Sequence, residues 1–268
     1  MKYMIKCGGF WMQDEILHSL RRIEEEEKIQ IHFACESGSR VWGTQAAASD
    51  FDVRFIYSHK INWYLQIYEG RDVIETSYHP KVDLVGWDLK KSLRLLQKSN
   101  PTLLEWINSP ITYIRNDPFI TELKKLAMLS FSPTPTGFHY LNMAKKNNQL
   151  LQKNQDFTTK RYLNILRPLF TCLWILEYKE MPFIEDVSSL FHHFLQDQAI
   201  LKHVDDLIQA KKEGQTLFHS ELINLYIEKT IPFIEEKVKK LKHQNVDMTN
   251  DLNQFFLKTL NNPTGNHH

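Results

Sequence analysis

Glycine is scarce in this chain. Its 268 residues include nine glycines, about half of the ordinary share of about 7%. That scarcity favours a helix-rich protein and makes Gly38 and Gly43 stand out. Cysteine is scarcer still: Cys7, Cys35 and Cys172 are odd in number and widely spaced. No CxxC or Cys/His zinc spacing occurs, which excludes a disulfide framework and makes a reduced cytoplasm the simple expectation. No apolar run reaches the length of a membrane span. Met1–Lys6 is too short and too polar for a secretory core. Neither sign of charge dominates, with 33 Lys+Arg against 32 Asp+Glu. Bulk charge therefore advertises no nucleic-acid surface, although a local basic groove remains compatible with it. A dinucleotide fingerprint, an HExxH helix and a GxSxG elbow are all missing. Gly38–Thr44 (GSRVWGT) lacks the lysine that a phosphate-binding Walker A loop requires.

What is present is enough apolar material, 42% with 12% aromatic, to bury the core of one large domain or two ordinary ones. Residues 12–28 read as an amphipathic helix on Ile16, Leu17, Leu20 and Ile23, with Glu24–Glu27 as its solvated end. Ile29–Cys35 alternates as a strand, Gly38-Ser39 breaks it, and Ser39 suits the N-cap of a short helix over 40–48. Phe51–Tyr57 (FDVRFIY) is strongly β-prone. Residues 72–78 and 82–85 flank a His79-Pro80-Lys81 turn as a hairpin. Asp88 caps a helix from Leu89, and a further helical turn or two lies over 102–108. Residues 58–70 are ambiguous, and 111–113 is a short extended piece. After about residue 115 no strand is expected. Helices are expected near 118–129, 137–153, 158–179, 186–195, 197–213, 218–241 and 248–260, with a loop over 132–137. The expected layout is α+β: a small mixed sheet with flanking helices over 1–115, then an all-α helical domain over 116–268 that forms the other wall of a cleft.

The chemistry concentrates at Asp50-Phe51-Asp52, separated from Gly38-Ser39 by ten residues. Residues two apart in a strand share a face, so Asp50 and Asp52 repel each other unless a cation sits between them. A Gly-Ser turn offers backbone N–H groups and a hydroxyl, which suit phosphate. Asp83, an acid between apolar strand neighbours, is unfavourable in a core and good for a ligand. Arg54 shares the face of Asp52 and either balances the acids or meets a phosphate. Arg40 either meets phosphate or pairs with Glu36. In the helical half, Lys160, Asn164 and Arg167 fall on one helix face, and His139, Tyr140 and Asn142 are candidates for the cleft wall. Trp42 and Trp87 read as packing, Cys35 as core, and His192-His193 as a surface pair.

These residues resemble the active-site pattern of the DNA-polymerase-beta-like nucleotidyltransferase superfamily. More narrowly, GSRVWG, SDFDVRFIY, DLVGWDLKKSLRLLQKSNPTLLEWINSP and KRYLNILRPL resemble a family of bacterial predicted nucleotidyltransferases, some encoded beside an RNA ligase. The similarity spans roughly residues 30–175.

The resemblance implies a nucleotidyltransferase that moves a nucleoside monophosphate from a nucleoside triphosphate to a hydroxyl, releasing pyrophosphate. Asp50, Asp52 and Asp83 would be catalytic and would hold two Mg²⁺ (or Mn²⁺) ions. Gly38 and Ser39 would contact the triphosphate. Read from the residues themselves, Arg40, Arg54, Lys160 and Arg167 are the further candidates for nucleotide contact, against ion pairs or exposed helix cations. An RNA 3′ end is the acceptor suggested by the RNA-ligase association. A small molecule, a protein side chain, a non-catalytic nucleotide sensor, a toxin–antitoxin-type module and a nuclease using the same acids stay open at this stage.

Overall fold

The computed structural model describes residues 9–182, 186–242 and 246–261. Cys7 and the Met1–Lys6 segment lie outside the described residues. Helix α1 (Gly9–Glu27) leads into strand β1 (Gln30–Ser37), a one-turn helix α2 (Gly38–Val41) and strand β2 (Phe51–Ser58). A short α3 (Ile61–Tyr64) precedes the hairpin of β3 (Val73–His79) and β4 (Val82–Asp88). Helices α4 (Leu89–Gln97) and α5 (Pro101–Ile107) then lead to the last strand, β5 (Thr112–Arg115). The sheet order is β3-β4-β2-β1-β5, and β2 with β4 is parallel while the other neighbours are antiparallel.

Strand alternation divides the sheet into two apolar faces. Val53, Phe55, Tyr57 and Leu84 pack on Ile16, Leu20 and Ile23 of α1. Phe33, Cys35 and Ile56 take the opposite face, under α4, α5 and α6 (Asp117–Ser130). Met248, Leu252 and Phe255 join that second cluster, because α12 (Thr249–Asn261) returns to pack on α4 and α6. The third cluster is built mainly by helices: α7 (Pro133–Asn154), α8 (Thr159–Tyr178), α9 (Val187–Phe194), α10 (Gln198–Lys212) and α11 (Glu221–Lys239). Tyr140, Tyr162, Leu166, Leu169 and Phe170 are at its centre.

Local signals explain the boundaries. Asp88 caps α4 by accepting from the Lys90 N–H at 2.8 Å, and Asn100 caps α5 by accepting from the Leu103 N–H at 3.1 Å. The expected loop at 132–137 is the first turn of α7, since Pro133 occupies its opening position, where a missing N–H costs nothing. The expected helix over 40–48 shrinks to Gly38–Val41. Gly43 at φ +65° ends the turn, and the chain doubles back so that Asp50 meets the start of β2.

Candidate active site

Strand β1 delivers Ser37 to the edge of a tight turn. Gly38 there has φ +66°, a left-handed conformation open to glycine at little cost. Ser37, not Ser39, holds the N-cap position of α2, and its side chain makes no capping bond. The capping role expected of Ser39 therefore fails: Ser39 lies inside the turn, with its carbonyl accepting from the Thr44 N–H at 2.9 Å.

The acids come from the ends of two neighbouring strands. Asp52 stands opposite Ser37 in the β1–β2 pair and opposite Asp83 in the β2–β4 pair. Asp50 is exposed just before β2. The Asp52 carboxylate fills the space beside Gly38, since a β-carbon there would lie 2.1 Å from Oδ2. Arg54 sits between the acids. Its Nη2 donates to Asp52 Oδ1 at 3.1 Å, and its Nη1 lies 2.9 Å from Asp83 Oδ2. Burial pushes the Asp52 pKa up. Arg54 opposes that shift, Asp83 and Asp50 add to it, and Lys160 opposes it. Asp52 thus feels both neighbouring acids and the charge of Lys160 on α8 (Thr159–Tyr178).

Among the described residues, no three acidic, histidine or cysteine side chains converge as a ready-made metal site. The donor chemistry nevertheless fits a hard divalent cation. Asp50, Asp52 and Asp83 are oxygen donors, and their mutual repulsion is what such an ion relieves. Arg54 supplies the balancing positive charge.

The other nucleotide-site candidates divide. Lys160 is exposed at the start of α8. Arg167 lies two turns further along α8, where its Nη1 meets Glu105 of α5 at 3.3 Å and its guanidinium lies 4.8 Å over Trp42. Tyr140 donates to the same Glu105 at 2.7 Å and is buried, whereas His139 and Asn142 are exposed. The Arg40 guanidinium donates to the carbonyls of Ser49 and Asp50, at 2.7 and 3.2 Å, rather than pairing with Glu36. Trp87 packs on Trp106 with ring centroids 3.9 Å apart. Trp42 joins the helical cluster and lines a cavity beside the turn with Gly38, Leu104, Glu105, Asn108 and Met181.

The sequence offers Glu36 only as a partner for Arg40 and gives Glu105 no role. Glu36 is fully buried, and burial raises its pKa. Its signal is weaker than that of Asp83, because Glu36 follows the apolar strand 29–35 and precedes Ser37 instead of lying between two apolar residues. Glu105 gives no such signal, because its partners Tyr140 and Arg167 come from distant helices.

Residues 12–258 match the family described as RlaP, RNA repair pathway DNA polymerase beta family. The chain belongs to that family. The match runs from α1 into α12, so the helical half is as much a family feature as the sheet. Membership places the chain in the polymerase-beta-like nucleotidyltransferase superfamily. The chain is 38% identical over 252 residues to the uncharacterized protein YcgL of Bacillus subtilis (strain 168), covering 93% of this chain and 96% of that one. Among solved structures, a nucleotidyltransferase-like protein from Exiguobacterium sibiricum 255-15 aligns with 93% of this chain and 81% of its own. It does so at 14% identity and a TM-score of 0.33, and that likeness bears on neither site nor substrate. Among the described residues of this RlaP-family chain, no helix is long and apolar enough to cross a membrane.

Proposed function

We propose that this RlaP-family member transfers a nucleoside monophosphate from a nucleoside triphosphate to a hydroxyl acceptor in a reaction dependent on Mg²⁺ or Mn²⁺. The observation that carries the proposal is the register of Asp52 against Asp83, with Asp50 at the start of β2 and Gly38 packed on Asp52. Asp50, Asp52 and Asp83 would hold two ions. When bound, these would neutralise triphosphate charge and acidify the attacking hydroxyl.

The remaining work falls to the chain. The turn at Gly38-Ser39 receives the β- and γ-phosphates on its backbone N–H groups. Lys160 adds positive charge from the helical wall, and Arg54 exchanges its carboxylate partners for phosphate oxygens as the site fills. The acceptor oxygen bonds to the α-phosphorus, the bond from that phosphorus to pyrophosphate breaks, and the hydroxyl proton passes to Asp83, the more exposed of the two carboxylates that Arg54 pairs with. An RNA 3′ end is the acceptor favoured by the family description, RNA repair.

The test is label transfer from α-³²P nucleoside triphosphates with Mg²⁺, using RNA with free or blocked 3′ ends. Labelled, lengthened RNA that requires the free 3′-hydroxyl and disappears in Asp52→Asn supports the proposal. Label on a small molecule or protein instead moves the acceptor and keeps the reaction. A second reading, a nucleotide sensor, draws on Arg54, which pairs with both Asp52 and Asp83 and so offers them a positive charge from the chain itself. Tight triphosphate binding with no pyrophosphate release from any acceptor pool would favour the sensor, and RNA shortening would favour a nuclease.

A further inference from the structure

The segment that brings the acids to the sheet, residues 49–52, is gripped by two side chains of opposite charge from the β1–α2 unit. From one side comes Arg40. Its Nη2 donates to the Ser49 carbonyl at 2.7 Å, its Nε donates to the Asp50 carbonyl at 3.2 Å, and its guanidinium lies 3.6 Å over the Phe51 ring. From the other side, Glu36 Oε1 accepts from the Asp52 N–H at 2.9 Å.

Glu36 is itself pinned on every side. Its N–H donates to the Ile111 carbonyl at 3.0 Å, its carbonyl accepts from the Ser109 hydroxyl at 2.7 Å, and its second carboxylate oxygen accepts from the Tyr113 hydroxyl. A buried carboxylate is expensive unless it is hydrogen-bonded, and an apolar residue would suit the strand better. Its hydrogen bond to Asp52 reaches one of the two acids directly through the backbone.

We infer that Glu36 and Arg40 are positioning residues that clamp the backbone of 49–52 and so set the placement of Asp50 and Asp52 relative to Asp83. The inference rests on the proposed function only in giving the acids a divalent cation to hold. Arg40 acts on carbonyl oxygens here, not on a phosphate.

The probe is Mn²⁺ alone, bound to the full chain without nucleotide and followed by electron paramagnetic resonance. Label transfer is measured separately. Glu36→Gln keeps an acceptor for the Asp52 N–H and a partner for Tyr113, so its Mn²⁺ affinity stays within about threefold of wild type. Glu36→Ala and Arg40→Met each weaken Mn²⁺ binding by about tenfold or more, the loss typical when an outer partner of a ligand is removed.

Arg40 is only partly buried, so Arg40→Met decides the matter if Glu36→Ala does not fold. Unchanged Mn²⁺ binding in Arg40→Met, with weaker triphosphate binding alone, would make Arg40 a phosphate ligand and overturn the clamp. A wild type that binds Mn²⁺ through Asp52 yet transfers no label overturns the function and leaves the clamp. A wild type that transfers label, with Glu36→Ala and Arg40→Met matching it in both assays, does the reverse. No Mn²⁺ binding by the wild type overturns both.

Discussion

Asp52 Oδ2 lies 2.1 Å from the point where a β-carbon on Gly38 would stand. The glycine thus makes room for a carboxylate of its own chain, besides any approach it permits to phosphate. Gly38→Ala suffers twice: its φ of +66° strains an L-residue by about 1–2 kcal/mol, and the new methyl group displaces the Asp52 carboxylate. Denaturant unfolding should show a loss of about 2 kcal/mol or more, and label transfer should fall about 100-fold, the scale of a small misplacement at a reacting centre. Gly43→Ala is the control. It has φ +65° but meets only the Asp186 side chain, at 3.1 Å. It should lose stability and keep transfer within a few-fold of wild type.

Arg54 holds both acids, so its removal separates charge balance from metal binding. Its two ion pairs are partly exposed, with Asp83 55% accessible, and each contributes about 1 kcal/mol at most. Arg54→Gln should lower the Tm by about 2–5 °C without Mg²⁺. Addition of Mg²⁺ should then raise the Tm more in the variant than in wild type, because no arginine has to leave the carboxylates. Equal Mg²⁺ shifts in the two proteins would mean that the ion does not bind where Arg54 sits.

Much of this arrangement was legible locally. Alternation along β2 sends Asp52 and Arg54 to one side and Val53 and Phe55 to the other, and Asp88 reads as a helix cap from its place before Leu89. The opposition of Asp52 and Asp83 is a matter of register between parallel strands joined by a long connection, and no local pattern encodes it. The short α2 escaped for a related reason: Arg40–Ala48 has adequate helix propensity, but Gly43 and the grip of Arg40 on the Ser49 and Asp50 carbonyls override it. The Glu105 cluster with Tyr140 and Arg167 was invisible because it exists only once the helical half docks against α5.

His32 supplies a pH dependence remote from the acids. It is buried, its ring stacks on Phe119 at 4.8 Å, and its Nε2 lies 2.8 Å from the Ser58 hydroxyl. Burial holds its pKa down to about 4, against an ordinary 6.5. A base depressed by folding contributes stability that is fully present above its unfolded pKa and is lost as pH falls through the folded one. Between pH 6.5 and 4 the wild type should therefore lose roughly 3 kcal/mol through this group. His32→Gln keeps a hydrogen-bonding partner for Ser58 and does not titrate. Its urea midpoint should be lower at pH 7.5 but should fall less steeply on acidification. Parallel curves for the two proteins would show that His32 does not drive the loss.

Two cations on one helix should behave differently when removed. Lys160 makes no ion pair among the described residues, is exposed, and reaches Asp52 through its field alone. Lys160→Met should leave the Tm within about 1 °C of wild type, as expected of a surface change. It should also weaken triphosphate binding several-fold, more so at low salt, where screening is least. Arg167 is tied to Glu105 and lies over Trp42. Arg167→Ala should cost about 1–2 kcal/mol from the lost cation–π contact and ion pair, and it should shift the emission contributed by Trp42, isolated by comparison with Trp42→Phe. If instead Arg167→Ala keeps full stability and loses only triphosphate affinity, its contact with Glu105 is a resting position, and Arg167 turns toward the nucleotide when the cleft fills.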